Sequence, residues 1–101
     1  MFIYNVTIKV KQEIAQAWLI WLKDEHIKEI IATGCFSDAV VMRLLEVDDS
    51  EGPTFAVQYK AFDRAAYELY IEQHAGLLRQ KSYEKWGDGF IAIRTIMEVV
   101  N

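Results

Sequence analysis

Cysteine and proline are almost missing from this sequence, with one of each in 101 residues. With Cys35 alone no internal disulfide can form, and the chain reads as one made for a reducing compartment. No run of lysine or arginine occurs, and the formal net charge is −4. Duplex nucleic acid and anionic membrane therefore have no electrostatic foothold. No stretch approaches the roughly 18 uninterrupted apolar residues that a bilayer span needs. The first ten residues lack a basic lead and an unbroken apolar stretch; they alternate, so they read as strand and not as signal peptide. A soluble cytoplasmic protein, with neither nucleic acid nor membrane as partner, is the expectation. The two histidines, His26 and His74, are far apart, and no H-x-x-x-H or C-x-x-C pair accompanies them. No metal site is expected on that spacing. There is no glycine-rich phosphate loop, and no cofactor is implied.

What the sequence has in plenty is apolar surface. Hydrophobic residues make up 52% and aromatic residues 13% of the chain. Its length fits one domain, residues 1–101, able to bury roughly 60–70% of its unfolded surface. The apolar excess suggests an oligomer whose interface absorbs it.

The stretch Trp18 to Gly34 organises the chain as one long helix. At about 100° per residue, Ala15, Leu19, Leu22, His26 and Ile30 fall on one stripe, flanked by Trp18, as on a helix lying over a core. Ile20, Ile27 and Ile31 form a second apolar row beside Trp21 and Ala17. Gly34 follows Thr33 where a left-handed glycine would end the helix. Before this helix, Phe2 to Val10 alternates as a strand, with Phe2, Tyr4, Val6, Ile8 and Val10 on one face. After it, Cys35 to about Val47 reads as a second strand, at an edge used in assembly. Asp48 to Gly52 is a polar hairpin turn. Pro53 opens a third strand, in which Phe55, Val57, Tyr59 and Ala61 share a face. Asp63 is placed to cap a second helix carrying Tyr67, Tyr70, Ile71 and His74. Gly76 predicts a kink or break there, with helix resuming from Leu77 to about Trp86. Phe90 to Val100 is the last strand.

The order β-α-β-β-α-β, with a hairpin in the middle, is that of the ferredoxin-like α+β fold. Right-handed crossovers put both helices on one side of a four-stranded antiparallel sheet, with the first and third strands central. The other side is expected to hold Asn5, Thr7, Gln58, Lys60 and Arg94, with Arg43 if the second strand has that register. Around them would lie Ile3, Ala56, Phe90, Ala92 and Ile96. That mixture is too apolar for water and too polar for a dry core. The same face of a second copy would cover it, as a homodimer.

Tyr4-Asn5-Val6-Thr7, Trp18 with Trp21-Leu22-Lys23 and His26-Ile27, and Ala32-Thr33-Gly34-Cys35-Phe36 carry a resemblance. Gln58-Tyr59, Glu72-Gln73-His74-Ala75 and Phe90 to Thr95 extend it over essentially the whole chain. Together they resemble a bacterial family known only as a domain of unknown function. Gly76 stands where that pattern leads one to expect proline. The resemblance implies a ferredoxin-like fold similar to the dimeric α/β-barrel proteins, and no established activity.

Two functional readings stay open. In the first, His26 and His74 line one cavity with Tyr4, Tyr59 and Tyr67. A histidine among tyrosines and Asn5 can take a proton or bind a polar group. Arg43 and Arg94 would form a carboxylate-binding pair. The protein would then bind a small hydrophobic or aromatic ligand, with or without cofactor-free catalysis. Haem on His26 would rest on fold analogy alone. In the second, the histidines are merely satisfied core groups and the arginines pair with acids across an interface. The chain would then be a non-enzymatic structural or regulatory interaction module. Cys35, just past a helix end, gains nothing from a helix dipole and is not expected to be a nucleophile.

Overall fold

Alternation of apolar side chains builds the sheet. In the computed structural model, which describes residues 1–101, β1 (Phe2–Val10) buries Tyr4, Ile8 and Val10 on one face. It lies between β3 (Thr54–Ala61) and β4 (Phe90–Glu98), antiparallel to both. β2 (Asp38–Arg43) pairs antiparallel with β3, giving the order β2-β3-β1-β4. Four helical segments complete the β-α-β-β-α-β chain: α1 (Ala15–Trp21), α2 (Ile27–Ala32), α3 (Arg64–Gln73) and α4 (Ala75–Trp86). They cover one face of the sheet. None is long and apolar enough to cross a membrane.

Local chemistry sets the boundaries. α1 starts without a side-chain cap, because its N-cap residue is the apolar Ile14. Asp63 caps α3 by accepting from the Ala66 amide at 2.9 Å. Gly34 ends α2 with φ +80°. At Gly52, φ is +146° and a Cβ would run into the Val10 carbonyl, so the hairpin between β2 and β3 can close against the end of β1 only with glycine. The break between α3 and α4 falls at His74, not at Gly76: His74 has φ −125° and ψ −35°, and Gly76 is inside α4.

Three further sequence expectations change. The second strand is shorter than Cys35–Val47, because Cys35 and Phe36 turn inward and are both 4% exposed. The long helix is not regular. A π turn, Leu22–His26, separates α1 from α2, and the Ile27 amide donates to the Leu22 carbonyl five residues back. The added residue rotates α2 about the helix axis relative to α1. The buried side is Ala15, Trp18, Trp21, Leu22 and Ile30, while Leu19 and His26 are half-buried. The largest change is in β4. Its pairing sets Arg94 opposite Val6, Ala92 opposite Ile8 and Ile96 opposite Tyr4. Phe90, Ala92, Arg94 and Ile96 therefore face the helices, and Ile91, Ile93, Thr95 and Met97 face away.

The core is an aromatic cluster around Tyr4, whose ring centroid lies 5.3–5.9 Å from those of Phe36, Tyr59, Tyr67 and Tyr70. Phe36, from the loop before β2, also packs on Tyr59 at 5.4 Å and on Tyr70 at 5.0 Å. It thus ties the sheet to α3. Phe36→Ala should cost about 3–5 kcal/mol, a large share of the roughly 5–15 kcal/mol that holds such a domain together. Urea unfolding of the variant against the parent measures this; a loss within experimental error would show that the aromatic cluster is not the core.

Candidate functional site

A cleft opens between the sheet and the helices, over the half of the sheet nearest β4. From the sheet, Tyr4, Val6, Ala92 and Arg94 form its floor. Trp18, Trp21, Leu22, His26 and Ile30 form one wall, and Tyr70, Arg79, Ser82 and Tyr83 the other. The cavity enclosed between these side chains is about 50 Å³. It is a narrow, half-open slot lined mainly by apolar groups, the usual character of a small-molecule site.

The π turn shapes one wall. Residues five apart in a regular α-helix point about 140° from each other. With the extra residue, the His26 ring stacks on Trp21, centroids 4.6 Å apart and planes 21° from parallel. Trp21 is in turn met edge-on by Trp86 at 5.8 Å. The opposite wall is set by the regular turns of α4, which bury Ala75, Leu78 and Ser82 and leave Arg79 half-buried beside them. Arg79 Nη2 donates to the Tyr4 hydroxyl at 3.1 Å, while its buried Nε has no partner. Outside the cleft, Lys81 and Glu29 pair at 3.0 Å and tie α4 to α2.

Burial governs the titrating groups. It lowers the His26 pKa from 6.5 to about 4; Glu29 opposes and Arg94 assists. His26 is therefore a neutral imidazole near pH 7, able to accept one hydrogen bond or proton and to donate one. Burial raises the Tyr59 and Tyr70 hydroxyls above their ordinary 10, so both remain protonated. Neither Arg79 nor Arg94 forms an ion pair, since the five in the structure involve other arginines and lysines. No aspartate or glutamate lines the cleft.

The structure brings together some of the residues expected at a site and separates others. Tyr4, Tyr59, His26 and Arg94 line the cleft. His74 does not share it. The helix break turns His74 toward a shallow outer depression with Glu29, Thr33 and Lys81, where it stacks loosely on Tyr70 at 6.4 Å. Tyr67 packs on Phe2 and Tyr4 away from the cleft. Asn5 is on the opposite face of the sheet, donating to Thr7 Oγ1 at 3.0 Å. The expected pairing of Arg43 with Arg94 fails because β2 and β4 are opposite edges of the sheet. Arg43 instead meets Asp49 at 3.5 Å. Residue pattern alone does not mark Arg79 or Trp21 as site residues. An arginine flanking the buried stripe of α4 is the only available hint for the first.

The strand order and one-sided helical cover define the ferredoxin-like α+β class. Solved structures share it. One is a protein called HapK from Hahella chejuensis, 15% identical, with a TM-score of 0.71, covering 99% of this chain and 93% of that one. Another is an antibiotic biosynthesis monooxygenase, 15% identical, TM-score 0.67, covering all of both chains. A third is a dimeric ferredoxin-like protein from an uncultured marine organism, 17% identical, TM-score 0.65, covering 99% and 95%. No curated protein matches the sequence. The chain belongs to the family described as a domain of unknown function, DUF4286, which it matches over residues 1–100.

A histidine whose folded pKa lies below its unfolded one weakens the fold when acid protonates the unfolded chain first. The contribution of neutral His26 should be complete above pH 6.5 and disappear as the pH falls toward about 4. It amounts to at most about 3 kcal/mol. The difference in unfolding free energy between the parent and His26→Gln should therefore change across that window and stay flat above it. A difference independent of pH would show that His26 is not desolvated in the fold.

Proposed function

We propose that this protein binds a small hydrophobic or aromatic molecule in the cleft between β1, β4, the π turn and α4. The observation that carries the proposal is a half-open apolar cleft with a neutral, half-buried His26 on its wall. A chain that served only as scaffold would gain stability by filling such a space, since interiors pack closely. A π turn is also a costly local feature that occurs often at functional sites. If catalysis occurs, His26 is the group able to take a proton from a bound molecule, without a tightly held cofactor. Likeness to an antibiotic biosynthesis monooxygenase at 15% identity concerns the fold, and fold does not fix activity.

The working form proposed is a homodimer built on the open side of the sheet. Ile91 and Ile93 are 68% and 65% exposed there, and Val40, Met42 and Met97 extend the apolar surface across it. On the same face Asn5 Oδ1 is buried with no hydrogen-bond partner, a deficit that a facing subunit could remove. A related fold occurs in a protein described as dimeric. The alternative, an interaction module for other partners, would use this same surface but leaves the cleft unexplained.

Ala92 lines the cleft and is half-buried. Ala92→Phe should fill the space, abolish binding of uncharged aromatic probes such as indole and p-cresol, and leave the thermal midpoint unchanged or raised. Chemical-shift titration of the three tryptophan indole N–H signals measures binding. Unaltered binding to a folded Ala92→Phe protein would place the site elsewhere. Light scattering at micromolar concentration should give twice the 11.7 kDa chain mass, and Ile93→Glu should halve it. A parent protein of single-chain mass would remove the dimer.

A further inference from the structure

We infer that the ligand of the cleft is a small apolar or aromatic acid, its carboxylate held between Arg79 and Arg94. This deepens the proposal above and presupposes that the cleft is the binding site. Acidic residues outnumber lysine and arginine by fifteen to eleven, so an arginine in this chain has no shortage of partners. Arg43 and Arg64 take them, at 3.5 and 3.1 Å. Arg79 and Arg94 take none, and these are the two arginines that line the cleft. They come from separate elements, α4 and β4, and both act electrostatically on the Tyr70 hydroxyl. Both guanidiniums thus border the same cleft.

The groups around them leave that charge uncompensated. The carboxylate nearest in influence, Glu29, faces His26 from α2 and is already engaged by Lys81. His26 is neutral and adds no negative charge. The Arg79 side chain is partly satisfied by Tyr4, yet its buried Nε still lacks an acceptor. A buried guanidinium donor without a partner is costly, and a carboxylate supplies the two acceptor oxygens that its planar fork matches. The Tyr4 hydroxyl, having accepted from Arg79, keeps its own proton to donate. Most of the remaining lining, with Val6, Leu22 and Ile30, is apolar, so the body of the molecule should be uncharged. Phosphorylated or polyanionic ligands fit poorly, because no cation beyond these two arginines lines the cleft to balance a second charge.

The test uses matched pairs that differ only in charge: benzoate, phenylacetate and 3-phenylpropionate, each against its primary amide. Binding is followed by the indole N–H signals of the full-length protein near pH 7. At least one acid should bind about tenfold or more tightly than its amide. Arg94→Gln is on an exposed edge and should fold normally. It should reduce that ratio to near one, weakening the acid far more than the amide, and Arg79→Gln should do the same where its circular dichroism matches the parent. Should acid and amide bind equally in the parent, the anion site is wrong and the cleft as an apolar site stands. An acid preference that survives both substitutions would also overturn the assignment. Failure of every acid and every amide to shift the indole signals at millimolar concentration would sink both the anion site and the cleft.

Discussion

Tyr4 is the side chain on which the two halves of this molecule meet. Its ring, 2% exposed, is the centre of the aromatic cluster that joins the sheet to α3. Its hydroxyl reaches past that cluster and accepts from Arg79 on α4. One residue of the central strand thus sets both the packing of the core and the position of a cation in the cleft. A phenol suits such a place, because its body is satisfied by apolar contact while its tip needs a polar partner. Close packing below the hydroxyl and open space above it follow from the same register of β1 against β3 and β4.

One wall of the cleft departs from regular geometry. A continuous α-helix from Ala15 to Ala32 would not bring His26 over Trp21. The π turn does, and it aligns an imidazole with an indole on the wall of the cleft. The stacked pair keeps His26 out of water, which is why its pKa falls. On the other side of the sheet, side chains of β4 that no helix covers leave isoleucines in solvent. A small chain with 52% hydrophobic residues has too few helices to cover both faces. It places its excess on one flat side, where strand alternation makes that surface continuous.

Much of the architecture was legible in the residues. Alternation in Phe2–Val10 and in the third strand, the Asp63 cap, the Gly34 stop and the central pairing of first and third strands all follow from local rules. The face of β4 was not legible. Phe90 to Val100 carries apolar residues at nearly every position, so period two has no preferred phase there, and a slip of one residue exchanges the faces. Arg94 looked like a polar-side residue for that reason. It faces the helices because it lies opposite Val6 on an edge strand, where a long side chain can reach both the cleft and solvent. The π turn leaves no mark in composition either, so a helical wheel of uniform pitch put His26 on the buried stripe. His74 was misplaced by a break at its own backbone, two residues before the glycine that drew attention. The candidate site was therefore half visible: Tyr4, Tyr59, His26 and Arg94 could be named, but not the company they keep.

The central claim is that the two sides of the sheet differ in use, with the helix-covered side holding a small acid. Crystals soaked with 4-bromophenylacetate test it most directly, because bromine can be located by its anomalous scattering alone. The expected result is one bromine peak inside the cleft, with the carboxylate density within hydrogen-bond distance of Arg79 or Arg94. A bromine peak on the Ile91 and Ile93 face, or an accessible cleft with no peak at all, would contradict it.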